Sequence, residues 1–231
     1  MFLLVLYLGL VYLAASVPFG LLVPLALGAS EDPRHVGSGN IGATNVLRLF
    51  GKRVAGAVLL ADVLKGLVPV LVAWAFFPPR LATVAAGLAG ITAFLGHCFP
   101  VYLGLRGGKG VATGAGAMLG LTPVATFVAA AVWAVLLWAT GRSSVASLGA
   151  AMVLIGLVAW LAPHMLAVAG VLAVLVAVLH GANLRRLIAG EEPALDLSVR
   201  REAEDVDAVA LLHRSPAGTP VDRPAGERSE P

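Results

Sequence analysis

Residues 111–139, VATGAGAMLGLTPVATFVAAAVWAVLLWA, form an apolar run whose reading decides the topology of the chain. As one helix its 29 residues would extend roughly 43 Å at about 1.5 Å per residue, against a hydrocarbon core of about 30 Å. Thr122-Pro123 lies inside the run, and a proline there favours a break at the residue before it. Outward from this run, further apolar stretches fall at 2–27, 54–77, 81–96, 145–161 and 165–180. Lys and Arg collect in cytoplasmic loops, so the charges choose between six and seven crossings. With a split at Pro123, the breaks holding Arg34, Arg48, Lys52 and Arg53, then Arg106 and Lys109, then Arg142, then Arg185 and Arg186 all share one face, and the other holds only Arg80. Six crossings would move Arg142 and the Arg185-Arg186 pair outside. The expectation is an all-α polytopic membrane protein with seven transmembrane helices, N-terminus outside and C-terminus cytoplasmic. Segment 111–121 is then too short to span alone, so it needs tilt or shielding by protein.

The composition agrees. Of 231 residues, 59% are hydrophobic and 13% charged, and the mean hydropathy is +0.91, far from the balance of a water-soluble domain. A single cysteine, Cys98, leaves no disulfide framework and no thiolate cluster. The net charge of +3 and pI near 9.4 come from cations between apolar runs, a topology signal rather than a nucleic-acid signal. Run 2–27 ends in Gly28, Ala29 and Ser30, as a signal peptide might, but no Lys or Arg precedes it and it is too long for an h-region. It reads as a first membrane helix. Residues 193–231, polar and proline-containing, read as a disordered cytoplasmic tail following a membrane domain of residues 1–192.

Ionisable groups inside membrane segments are costly and therefore functional candidates. Asp62 and Lys65 lie at i and i+3 in run 54–77, on one helix face, where they can pair. Mutual neutralisation alone would explain an isolated pair, but three glycine-rich polar segments fall on the same face. They are GSGNIGATNVLR (37–48), GHCFPVYLGLRGGKGVAT (96–113) and HGANLRRLIAGEE (180–192). Each joins glycine, which bares backbone N–H groups, to a cation or an amide, the chemistry of phosphate binding.

Other chemistries fail on context. Gly37, Gly39 and Gly42 satisfy GxGxxG, but a membrane helix and a charged loop precede them rather than a strand. A Walker A around Lys109 would need Gly and Ser or Thr where the chain has Leu103 and Gly110. His35, His97, His164, His180 and His213 show no metal-ligand spacing. Cys98 is adjacent to His97, and neighbours in an extended segment point apart, so the thiol reads as a packed side chain. No histidine has an Asp five residues on, the arrangement of acyltransferases that use acyl-CoA or acyl carrier protein, which argues for a donor that is already activated. A small-anion transporter would also use polar glycine-rich breaks, but it predicts inverted repeats, and the sequence has none. A structural subunit held by small residues such as Gly87 and Gly90 leaves Arg48, Lys65 and Lys109 on one face unexplained.

Over residues 1 to about 192, the chain resembles the bacterial acyl-phosphate:glycerol-3-phosphate acyltransferases, the PlsY family. The resemblance is carried by DPRHVGSGNIGATNVLR (32–48), DVLKG (62–66), GHCFPVYLGLRGGKGVAT, RSSVAS (142–147) and HGANLRRLIAGEE. Leu184 replaces a common Ile, and Ser143 stands where an aromatic is often seen. The resemblance implies seven membrane helices, motifs facing the cytoplasm at the bacterial inner membrane, and acyl phosphate, glycerol 3-phosphate and membrane lipid as partners of a monomer that needs no cofactor, metal or nucleic acid. It implies Gly107, Gly108 and Gly110 as a backbone cradle for one phosphate, with Lys109 beside it. Ser38, Asn40, Asn45, Arg48, Lys65, His180, Asn183 and Arg186 would fix the other phosphate and the glycerol. Asp62, His97, Ser143 and Glu192 complete the expected substrate site, with His180, Lys109 and Lys65 nearest the chemistry.

Overall fold

The run at 111–139 breaks where its proline says it should. The computed structural model describes residues 1–29, 31–35, 37 and 39–195, and every regular element among them is helical. In chain order these are α1 (Phe2–Ala15), α2 (Phe19–Ala26), α3 (Ala43–Phe76), α4 (Pro79–Cys98), α5 (Val111–Leu121), α6 (Pro123–Thr140), α7 (Ser143–Leu161), α8 (Leu166–Leu179) and α9 (Gly181–Ile188). Thr122, at φ −144°, separates α5 from α6, and Pro123 takes the first position of α6, where its missing N–H is harmless.

Four helices, α3, α4, α6 and α7, are long and apolar enough to cross a bilayer singly. Two bent pairs, α1 with α2 and the Pro163–Leu179 segment with α9, raise that number to six. The single first helix expected from run 2–27 is therefore corrected to two, bent by 47°. Pro18 supplies the reason, because it cannot donate the hydrogen bond that would carry α1 onward. Run 54–77 is likewise the second arm of a longer helix, kinked at Gly51 with φ 73°. Ser38 and residues 196–231 lie outside the described residues, so the expected disorder of the tail from 196 onward lies there too, while of residues 193–195, expected in that tail, Leu195 is buried and its N–H bonded to the Gly141 carbonyl.

The packing is inverted relative to a protein in water. The core is built of small residues, with Ala85, Ala86, Ala89 and Ala93 fully buried. Large apolar side chains face outward, among them Phe127, Trp138, Met152, Trp160 and Val178, each at least 66% exposed. Such a surface calls for lipid, where close backbone approach replaces the hydrophobic drive. The short α5 shows this best, since its principal partner is α3. A Cβ on Gly66 would overlap the carbonyl of Thr113, and one on Gly116 would overlap the carbonyl of Val63. Packed this tightly, α5 (about 16 Å at 1.5 Å per residue) is shielded by protein instead of spanning lipid alone.

Candidate active site

The glycine loop after α4 is the centre of the site. Pro100 prevents α4 from continuing past Cys98, and the chain makes a short turn at Val101–Leu103 before folding back. The N–H of Gly107 donates to the Cys98 carbonyl (3.0 Å), and that of Gly108 to the His97 carbonyl (3.1 Å). Gly108 lies flat on the His97 ring, where any side chain would overlap Nε2. Gly110, at φ 73°, turns the loop into the start of α5. The first N–H groups of that helix have no intrahelical acceptor and are therefore free for an anion.

Beneath the loop is a sealed cluster. Asp62 Oδ1 lies 2.9 Å from Lys65 Nζ and 3.5 Å from His97 Nδ1, with the three side chains 3–6% exposed. Lys65 also donates to the Val17 carbonyl (3.3 Å) and lies 5.6 Å over the Phe19 ring. Its charge is thus spent on Asp62 and on the break between α1 and α2.

Above the loop is a second cluster with charge to spare. Lys109 Nζ donates to Asn183 Oδ1 (2.6 Å), and Asn183 Nδ2 donates to Glu192 Oε1 (2.6 Å). Glu192 also accepts from Ser144 Oγ (2.7 Å) and from Arg186 Nε (2.8 Å). Arg142 Nε donates to the Glu192 backbone carbonyl (3.2 Å), and the Leu195 N–H to the Gly141 carbonyl (2.7 Å), stitching residues 192–195 to the α6–α7 turn. Burial favours the charged form of neither group, but hydrogen bonds from Asn183, Ser144 and Arg186 outweigh it at Glu192 and hold that carboxyl below its ordinary range. Lys109 is pushed down to about 8 by burial, with Arg186 and Arg48 adding repulsion that Glu192 offsets in part. Three cations thus act within one electrostatic neighbourhood against one carboxylate.

Arg48 reaches this neighbourhood from the first arm of α3. Its Nη1 donates to Asn45 Oδ1 (3.0 Å), while Asn45 Nδ2 donates to the Pro33 and Asn40 carbonyls (2.6 and 2.9 Å). Asn45 is 1% exposed, so it builds the 33–40 loop and aims Arg48. Asn40 turns its own Oδ1 to the Ile41 N–H (3.0 Å). His180, buried at the joint between α8 and α9, donates from Nδ1 to the Val176 carbonyl (2.8 Å), which leaves Nε2 of the neutral ring as an acceptor.

The sequence-derived set therefore divides. Arg48, Lys109, His180, Asn183, Arg186 and Glu192 come together, beside Gly107, Gly108 and Gly110. Asp62, Lys65 and His97 form the sealed cluster instead. Ser144, not Ser143, presents the hydroxyl to Glu192; the Ser143 carbonyl accepts from Ser147 Oγ (2.7 Å). Sequence reasoning missed Ser144 and Arg142, both inside the quoted RSSVAS stretch, because helical phase at the first turn of α7 decides which serine faces inward. Among the described residues there is no group of His, Cys, Asp and Glu able to hold a metal ion.

A family model described as glycerol-3-phosphate acyltransferase matches residues 5–190. The glycerol-3-phosphate acyltransferase of Pseudomonas savastanoi pv. phaseolicola is 48% identical over 181 residues, 78% of this chain and 92% of that protein. That of Erythrobacter litoralis is 45% identical over 184 residues, 79% of this chain and 90% of its own. Among solved structures, the fold resembles PlsY (YgiH), an integral membrane glycerol 3-phosphate acyltransferase. In its glycerol 3-phosphate form the TM-score is 0.76 at 33% identity, covering 83% of this chain and 95% of that one. In its lysophosphatidic acid form the TM-score is 0.74 at 32% identity.

Proposed function

This chain belongs to the glycerol-3-phosphate acyltransferase family, and from that footing we propose that it moves an acyl group from an acyl phosphate to the 1-hydroxyl of glycerol 3-phosphate. The products are 1-acylglycerol 3-phosphate, a precursor of phospholipids, and inorganic phosphate. One observation carries the reading: beside the glycine loop Lys109 donates to Asn183, and Asn183 and Arg186 donate to a single carboxylate, Glu192, so the cations there outnumber the acids. Both reactants carry phosphate, and surplus cations with free N–H groups are what two anions at one site require.

In this reading the first turn of α5, entered at Gly110, cradles one phosphate, with Lys109 beside it, while the N–H groups of Gly107 and Gly108, expected in the cradle, hold the loop to the end of α4. Arg48, Asn183, Arg186 and His180 face the other phosphate and the glycerol, and the acyl chain leaves sideways into lipid. The hydroxyl oxygen attacks the acyl carbon, its bond to the phosphate oxygen breaks, and phosphate departs as a good leaving group. Positioning and charge stabilisation supply most of the rate. The hydroxyl proton passes to a phosphate oxygen of the substrate. His180 Nε2 is the protein alternative better supported than His97, whose Nε2 is packed against Gly108. Single-turnover rates of His180→Gln and His97→Gln decide this, since a loss beyond roughly a thousandfold at either would exceed what positioning explains and would refute substrate assistance.

The topology proposed is seven crossings in the inner membrane, with α5 and α6 counted separately, N-terminus outside, and both the site and the C-terminus cytoplasmic. The break at Thr122 and the one-sided Lys and Arg distribution support it. The active unit is proposed to be the monomer. Purified protein in detergent, given palmitoyl phosphate and labelled glycerol 3-phosphate in parallel with acyl-CoA, tests the whole. Lipid product from the phosphate donor alone is expected, and no product from either donor would return the reading to an anion transporter.

A further inference from the structure

Beside Gly107 a groove of about 580 Å³ lies between Arg34, His35 and Ile41 and the turn after α4. Arg34 and His35 line one wall, Leu103 and Arg106 the other, and Gly107 the inner end. Neither arginine has a part in the clusters described above. Arg34 is held by Asp32 through Nε and Nη2 at 2.6–3.0 Å, so its position is fixed while part of its charge is neutralised. The Arg106 side chain makes no hydrogen bond or ion pair among the described residues, and it is exposed.

The backbone that presents Arg106 is unusual. Gly104 is left-handed (φ 58°, ψ 38°), and Leu105 follows it at φ 65°, the only non-glycine positive φ among the described residues. A leucine rarely adopts that conformation, and its side chain here is 56% exposed, so burial of the leucine does not explain it. The two left-handed residues turn Arg106 back towards Arg34 and His35. The charge of Arg34 is met by Asp32, so Arg106 is the cation that the groove offers to an anion.

We propose that this groove is a second, weaker phosphate site beside Gly107 and outside the cradle, and that it holds a phosphate monoester or inorganic phosphate dianion on its way to or from the reaction. It rests on the acyl transfer reading only for the identity of the traffic. Incoming glycerol 3-phosphate and departing inorganic phosphate share this chemistry. The groove acts by steering, so its effect is expected to fade as salt shortens the Debye length from about 10 Å at 0.1 M to about 3 Å at 1 M.

The test is Arg106→Gln beside Arg106→Lys. At low ionic strength Arg106→Gln is expected to raise the KM for glycerol 3-phosphate, or the inhibition constant of inorganic phosphate, by about fivefold, with kcat within about twofold. Arg106→Lys is expected to restore most of the effect, and 0.5 M salt to erase the difference. A rise in KM alone assigns the groove to the incoming monoester, and a rise in the inhibition constant alone assigns it to the departing phosphate. Unchanged constants, a matching fall in kcat, or a defect that salt leaves intact would overturn the proposal. Calorimetric binding of inorganic phosphate to wild-type and Arg106→Gln protein tests the groove without turnover. Weakened binding in the variant supports it even if acyl transfer is not the reaction, and identical isotherms refute it.

Discussion

The two polar clusters on either side of the glycine loop contain the same kinds of residue and do opposite things with their charge. Below the loop, Lys65 meets Asp62, Val17 and Phe19, and Asp62 meets His97, so the group is closed and its side chains nearly inaccessible. Above it, Lys109, Arg48 and Arg186 outnumber Glu192, whose carboxylate is occupied by Asn183, Ser144 and Arg186. A cation inside a membrane protein is thus informative about ligand only when its own protein leaves it unneutralised. The closed cluster positions the loop, since the His97 carbonyl and ring are what Gly108 rests on.

The sharpest way to break this contrast is to remove the spare charge. Lys109→Met is expected to lower kcat/KM by about a thousandfold, in line with the loss of one preorganised donor to a reacting anion. A loss under tenfold would mean that the open cluster is not where phosphate sits. The closed cluster should respond in stability first. Asp62→Asn strands a buried ammonium and is expected to cost about 3 kcal/mol, read as a lowered melting temperature in detergent. The double variant Asp62→Leu/Lys65→Met should regain most of that loss and keep kcat within about tenfold. If the double variant is folded yet inactive, Lys65 touches substrate and the division fails.

A smaller effect sharpens the role of the carboxylate. Glu192→Gln keeps one acceptor oxygen for Asn183 and Ser144 but turns an amide NH2 towards Arg186 Nε, and about a hundredfold loss in kcat/KM is expected as the charge-assisted bond to Arg186 is lost. The pH response tests Lys109 directly. Its free-enzyme value of about 8 means it is a cation below pH 8 and neutral above. A bound phosphate raises that value, so affinity for glycerol 3-phosphate should be full below about pH 8 and fall by up to tenfold per pH unit above it. Lys109→Arg should flatten this limb, because the guanidinium stays charged. The smallest effect separates neighbours: Ser144→Ala should cost about fivefold in activity, the scale of one hydrogen bond, and Ser143→Ala less than twofold.

Much of this was legible before any fold was known. The proline at 123 predicted the division between α5 and α6, and the bend at Pro18 within run 2–27 obeys the same local rule. The glycine spacing around Lys109 pointed to a loop that exposes N–H groups, and the loop instead spends those of Gly107 and Gly108 on the Cys98 and His97 carbonyls, a fold-back that no local pattern announces. Less legible was the fate of each polar side chain. Asn45, expected beside the phosphate, also ties the Pro33 and Asn40 carbonyls together, a contact that exists only once the folded chain brings those residues close. Ser143 and Ser144 are equivalent in composition, and only the rotation of α7 against residues 191–195 separates them.

The order of apolar runs, their breaks and the one-sided cations are properties of the chain alone, since hydropathy and proline act within a few residues of where they occur. Whether a cation is spent or spare is not such a property. Lys109 and Asn183 stand 74 positions apart and meet at 2.6 Å, while Lys65 finds Asp62 three positions away. A charge is neutralised by what lies close to it in space, and for Lys109, unlike Lys65, those neighbours were settled only when the helices packed.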